Sequence, residues 1–192
     1  MLIRLKPEPP SARTLLRSSL AKRTDHARHI KALRGTAKVS APLPVYTLGY
    51  KSSFRPHPLR NVRLAGWSYL IVGGETAGLA HLRVSRGTLS FAGITDGPAA
   101  QILLDTAILA EKQLQSVGRS FEARILEIPC LRIHALWLYS RSGGSQFLNL
   151  DIANASSTTR ESLSEIEIRI AAASAYWASP ASHARTTSNA GK

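Results

Sequence analysis

Cysteine is almost absent: the chain of 192 residues holds one, Cys130. That excludes a disulfide framework and a zinc site built from cysteines. Acidic side chains are scarce, with 12 Asp+Glu against 25 Lys+Arg, so the net charge is +13. Aromatic residues are only 6% of the chain and none precedes Tyr46, so the first forty residues have little to build a core from. No apolar run approaches the ~18 residues of a transmembrane helix. No repeat of fixed period and no long low-complexity block is visible. No apolar stretch follows the basic N-terminus, so no secretory signal is predicted and a cytoplasmic location is expected. What is present suits one soluble domain with tails: the apolar fraction is 44%, and this length can bury a proper core.

The basic charge is concentrated at the N-terminus. Residues 1–40 carry ten Lys+Arg and two acids, a net +8. Residues 1–42 are therefore expected to be a basic, disordered leader, because few large apolar side chains offset the entropy of ordering it. Leu16, Leu20, Ala27 and Ile30 give an incomplete apolar stripe that allows a helix over 11–34 on contact with a partner. Arg13, Arg17, Lys22, Arg23, Arg28, Lys31, Arg34 and Lys38 are the candidate nucleic-acid-binding residues, since such an arm neutralises phosphates. An anionic lipid surface, an organellar targeting segment and a passive solvated tail are the competing readings.

Pro42 and Pro44 close the leader, and β-branched and aromatic residues begin. Val45–Leu48, Trp67–Val72, Leu79–Ser85 and Thr88–Ile94 read as strands, with a basic loop over 51–63. The Gly-rich stretch 73–78 predicts a hairpin. Pro98 opens a helix whose apolar positions Leu103, Ala107, Ala110, Leu114 and Val117 keep helical spacing up to Gly118, with Asp96 as its cap. Phe121–Ile128, Leu131–Tyr139 and Phe147–Leu150 follow as strands. After a linker over 153–160, Ser162 and Glu165 form a capping box for a C-terminal helix ending near Pro180, although Ile166, Ile168 and Ile170 also permit a strand. The expected fold is α+β: a mostly antiparallel, curved sheet on one main helix, plus the C-terminal helix. The expected division is a leader over 1–42, a domain over 43–178 and a disordered tail over 179–192.

Candidate chemistry is sparse. Cys130 and His134 are four residues apart, roughly 13 Å on a strand, too far for a nucleophile and its base; Cys130 reads as a small core residue. Gly73 to Gly78 has the glycine spacing of a phosphate loop but lacks the Lys and Ser/Thr that must follow. No histidine spacing suits a metal, and no metal or cofactor is predicted. His81 and His134 both fall on strand faces and are able to meet if their strands are neighbours. Glu122 and Glu127 fall on opposite faces, which argues against a carboxylate pair. Lys51, Arg55, Arg60 and Arg63, with Phe54 and His57, form a basic loop that reads as solvated, with anion binding the sharper alternative.

The stretches PVYTLG (44–49), GWSYLIV (66–72), DGPAAQILLDTA (96–107) and ARILEIPCLRIHALWLYS (123–140) resemble a group of uncharacterised small bacterial α+β proteins of unknown function. The resemblance covers residues 43–150. It implies a single bacterial domain and assigns no residue a role.

Three functions remain from the sequence. The first is a non-catalytic binding or accessory protein with an unknown protein partner, which should expose an apolar patch of several hundred Å². The second is a nucleic-acid-associated protein using the basic arm, or one that meets an anionic surface through residues 1–40. The third is an enzyme with an unrecognised site, which should show a concave pocket with converging polar groups and shifted pKa values; such a pocket around His81 or His134 would reverse this order.

Overall fold

Strand pairing sets the frame of the molecule. The computed structural model describes residues 3–23, 38–73, 76–115, 119–150 and 160–178. In chain order the elements are β1 (Ile3–Arg4), α1 (Ala12–Arg23), β2 (Lys38–Val39), β3 (Leu43–Thr47), α2 (Tyr50–Ser53), β4 (Arg63–Gly73), β5 (Thr76–Ser85) and β6 (Thr88–Asp96). There follow α3 (Pro98–Leu114), β7 (Phe121–Ile128), β8 (Ile133–Tyr139), β9 (Gln146–Asn149), β10 (Arg160–Ser162) and α4 (Leu163–Ala178). The strands form one sheet in the order β10-β9-β8-β7-β3-β4-β5-β6, with β1 beside β7 and β2 beside β4. Pairing is antiparallel except for β3 and β1, which both run parallel to β7. The fold is α+β with a mixed, mostly antiparallel sheet.

Two meanders build that sheet. β3 to β6 form one and β7 to β9 the other, and α3 is the crossover that lets β7 return parallel to β3. A parallel return needs such a long connection, whereas the antiparallel pairs need only turns. Arg86 and Gly87 join β5 to β6, both at positive φ as a two-residue type I′ hairpin demands.

The sheet is covered on both faces. Ala100, Leu103, Ala110 and Leu114 of α3 bury against Val45, Leu70, Leu79, Ile125, Leu136 and Leu138 on the first face. On the second face, Ile166 and Ile170 of α4 pack on Leu126, Ile128, Trp137 and Phe147. Ala12 and Leu16 of α1 pack there on Trp67, Tyr69, Ile71, Ala80 and Leu82. Alternation along β4 feeds both layers: Ser68 and Leu70 point to the first face, Trp67, Tyr69 and Ile71 to the second. Apart from Ser68, the run WSYLIV is built of large apolar and aromatic side chains because its strand is central and covered on both sides.

Several expectations change. The leader, expected to be disordered over 1–42, forms β1 and α1 within residues 3–23. Ala12 and Leu16 are 0% and 1% exposed. Burying a leucine contributes about 1.5–3 kcal/mol, and the apolar stripe finds its partner in the same chain. Residues 38–42 likewise join the fold, with Lys38 and Val39 paired to Val72 and Ile71. Residues 24–37, the expected helix end at Val117 and Gly118, residues 153–159 of the expected linker and the tail over 179–192 lie outside the described residues. Among the described residues there are four α-helices, where one main helix and a C-terminal one were expected. The cap position of α3 is Gly97, at φ 79°, with no side-chain cap; Asp96 ends β6 instead. The loop over 51–63 contains α2 and a 3-10 turn at Pro58–Asn61 whose Pro58 and Leu59 are buried. Cys130 is exposed, not a core residue, because it sits in the 3-10 turn Pro129–Leu131 joining β7 to β8.

The capping box holds. The Ser162 amide donates to Glu165 Oε2 at 2.5 Å and the Glu165 amide donates to Ser162 Oγ at 3.3 Å. The strand alternative for this segment fails, since Ile166 and Ile170 are buried while Ile168 is 67% exposed. Among the described residues no helix is long and apolar enough to cross a membrane.

Candidate functional site

The part of the first face that α3 leaves open is a cleft of about 480 Å³. Its apolar floor includes Val45, Leu79, Ala92 and Ala99, the last in the first turn of α3. Its polar lining is Thr47, Ser68, His81, Arg83, Thr95, Glu127 and His134. A cleft of this size holds a small organic molecule.

Cross-strand register creates two polar groups on this lining. The first is Ser68–His81–Thr95. Ser68 on β4 lies directly opposite His81 on β5, and β6 brings Thr95 diagonally beside it. The register of β5 and β6 shifts between His81 and Leu82, so Ala92 is the extra residue of a bulge that re-aims this end of β6. Ser68 Oγ is 2.9 Å from His81 Nδ1, and Thr95 Oγ1 is 3.2 Å from Nε2. Burial pushes the His81 pKa below its ordinary value, so the ring is neutral. A neutral imidazole donates from one nitrogen and accepts at the other, so the two hydroxyls satisfy both. Ser68 is 0% exposed and its hydroxyl is 2.9 Å from Nδ1, so it fixes the orientation of the ring. Thr95 is exposed, so a ligand is able to take its place on Nε2.

The second group is Thr47–Glu127–His134, one row across β3, β7 and β8. His134 Nε2 lies 3.6 Å from Glu127 Oε1, an ion-pair contact just beyond hydrogen-bond length. Burial raises the Glu127 pKa, favouring the protonated acid more than in water. Four described groups have shifted pKa values: Tyr69, His81, Glu127 and Glu165. Glu165 belongs to the capping box and Tyr69 holds the leader. The remaining two line this cleft.

The two groups stand apart. β5 and β7 have β4 and β3 between them, three strand spacings or roughly 14 Å across an unbent sheet. His81 and His134 therefore do not meet on neighbouring strands; they line one cleft from its two sides. Glu122, as its position on the opposite face required, is elsewhere: it accepts a hydrogen bond from Arg124 Nε at 2.9 Å on the second face. Between the two groups, Gly66 lies opposite Arg83 and Val45 and adds no side chain. A Cβ there would run into the carbonyl oxygen of Leu82 and sit 3.2 Å from the Arg83 Cα, so glycine is what allows β4 and β5 to approach.

The residues marked for nucleic acid are not gathered here. α1 lies on the second face, so Arg13, Arg17 and Lys22 are exposed on the side of the sheet away from the cleft. Arg13 Nε donates to Glu8 Oε1 at 2.8 Å. Arg23 ends α1, and Lys38 is exposed on β2. Arg28, Lys31 and Arg34 lie outside the described residues. Among the described residues no three His, Cys, Asp or Glu side chains are placed to hold a metal ion.

Sequence reasoning named His81, His134 and Glu127, but weighed Glu127 only against Glu122 and not beside His134. Ser68 and Thr95 are marked only by pairing register. Compared with protein-family models, with curated proteins and with solved structures, the chain finds no match, so the likeness of residues 43–150 to small bacterial proteins stands on the sequence stretches alone.

Proposed function

We propose that this protein binds a small organic molecule in the cleft beside the first turn of α3 and transfers a proton on it. One observation carries the reading: one cleft collects both of the burial-shifted groups that have no structural explanation elsewhere among the described residues, His81 and Glu127. Glu127, with its raised pKa, is the acid, and His134 beside it is the group with which it exchanges a proton. His81, neutral and held by Ser68, recognises a polar atom at the other end of the ligand, where it takes over the contact made by Thr95. The spacing of the two groups suits the ends of one ligand and not a single reacting atom.

This order reverses the one drawn from composition. An accessory protein calls for a contiguous apolar patch; among the described residues the large exposed apolar side chains are Val39 on β2, Tyr50 and Phe54 at α2, Ile108 on α3, and Leu163 and Ile168 on α4, each element adding one or two. The accessory and basic-arm readings therefore follow the cleft.

The test is a panel of small polar metabolites screened by ligand-observed NMR, with turnover followed in the same tubes. At least one compound is expected to bind the wild-type chain, to bind H81Q at least tenfold more weakly, and to be converted by wild type but not by E127Q. Binding without conversion removes the catalytic half of the reading. Binding that survives both substitutions removes the site.

A further inference from the structure

The turn after β3 carries an aromatic pair that the core does not use. Tyr50 and Phe54 are 44% and 47% exposed. Their rings meet edge to face with centroids 5.0 Å apart. Leaving half of each ring in water forgoes hydrophobic stabilisation, and an edge-to-face pair leaves a ring face free to stack.

Positive charge flanks the pair along the chain. Lys51, Arg55, Arg60 and Arg63 are all exposed, and residues 49–63 contain no Asp or Glu. The acid that reaches this segment, Glu167 of α4, sits 3.5 Å from His57 Nδ1. None of those four cations forms an ion pair with a described residue.

The surface is also held in place. Ser53 is buried and accepts a hydrogen bond from Ser174 Oγ of α4 at 2.9 Å, while its own hydroxyl donates to the Tyr50 carbonyl at 2.6 Å. Pro58 and Leu59 are buried beneath the rest of the turn. Aromatic and basic side chains are thus presented from an anchored backbone, with their ordering cost already met by folding.

The geometry points to a docking surface for single-stranded nucleic acid over residues 50–63, with bases stacked on Tyr50 and Phe54 and phosphates neutralised by Lys51, Arg55, Arg60 and Arg63. Free base faces exist only on an unpaired strand, and stacking on aromatic rings inside a basic groove is how sequence-tolerant binders hold it. Arginines, three of the four cations, favour planar bases and phosphate oxygens over the loose point contacts of a lipid surface. The surface shares no residue with the cleft lining, so either proposal stands if the other falls.

The experiment is fluorescence anisotropy of the full chain with a labelled oligouridylate, from about 50 to about 200 mM salt. Y50A/F54A should weaken binding at least about tenfold while the salt slope is kept, since stacking and not charge is removed. K51S/R55S/R60S should flatten the slope of log K against log salt by roughly 2, at about 0.7 per phosphate on a single strand. R17S/K22S on α1 should leave binding unchanged. Unchanged thermal midpoints check that the variants are folded. Absence of binding at the lowest salt overturns the proposal. So does loss in R17S/K22S with Y50A/F54A still binding like wild type, which assigns the charge effect to α1. Preference for phosphatidylserine-containing vesicles over the oligonucleotide, lost in Y50A/F54A, overturns it in favour of a membrane surface.

Discussion

Tyr69 donates its phenol proton to the carboxylate of Glu8, across 61 residues of sequence. The same carboxylate accepts from Arg13 at the start of α1, so one acid ties the leader to the centre of the sheet. Tyr69 is 0% exposed. Burial first, and then the Glu8 hydrogen bond and its charge, push the phenol pKa well above 10.0.

An alkaline limit on stability follows from that pair. A group whose folded pKa is raised binds its proton more tightly in the folded state, so its contribution is whole below the unfolded value and is lost as pH rises through the window above it. Stability should fall with pH above about 10, where the unfolded phenol ionises and the folded one does not. In a spectroscopic titration at 295 nm, one phenol should resist ionisation until the chain unfolds, and Y69F should remove that phase. A smooth titration of every tyrosine in the folded protein would show that Tyr69 is not sealed by the leader.

The leader should behave as part of the cooperative unit. Leu16 is 1% exposed among Trp67, Tyr69, Ile71 and Leu82. Leu16→Ala is expected to cost about 2–5 kcal/mol, the usual range for a leucine removed from a packed core. Urea denaturation monitored by Trp fluorescence should show the midpoint moving down with an unchanged slope. A change below about 0.5 kcal/mol, the level of an ordinary surface substitution, would mean that α1 does not pack as described.

Much of this architecture is legible in the residues, and what escaped did so for identifiable reasons. The strand–strand–strand–strand–helix–strand–strand–strand order over 45–150 follows from alternation, turn residues and the helical spacing after Pro98. The Ser162–Glu165 box announced α4 because its two hydrogen bonds are local. The docking of α1 was hidden because composition reports the basic residues of the leader equally whether or not Ala12 and Leu16 find a groove. The site was hidden for a similar reason. Ser68 meets His81, and Glu127 meets His134, only once register between strands is known, and a single sequence does not encode register in any local pattern. His81 and His134 could meet only if their strands were neighbours; β4, β3 and β7 stand between them, so they line one cleft from two sides.

Gly66 offers a sharper probe of the cleft's shape. Any Cβ at this position collides with the carbonyl oxygen of Leu82, which belongs to backbone and cannot swing aside. Gly66→Ala should destabilise by about 1–3 kcal/mol or more, as overpacking does. It should also shift amide NMR signals along β4 and β5 while leaving β8 and β9 unmoved. A variant as stable as wild type, with an unchanged spectrum, would place β4 farther from β5 than described.

His81 and Glu127 should pull the pH dependence of stability in opposite directions. The His81 pKa is lowered by burial, so its neutral form suits the folded state. Its contribution is whole above 6.5, and stability drains away as pH falls below that value and the unfolded imidazole gains a proton that the folded one refuses. Glu127 is the reverse case. Its pKa is raised above 4.5 by burial, so its contribution is whole below 4.5 and is lost as pH rises through the folded value. H81Q should therefore flatten the acid side of the stability curve, with the difference from wild type shrinking as pH drops from 6.5. E127Q should flatten the side above 4.5, gaining on wild type as pH rises toward neutrality. Urea midpoints measured at half-unit pH intervals separate the two, because the slopes have opposite sign and overlap only between the two ordinary pKa values. Parallel curves for wild type and both variants would mean that neither group is held in a desolvated cleft, and the proton-transfer reading would lose its physical basis.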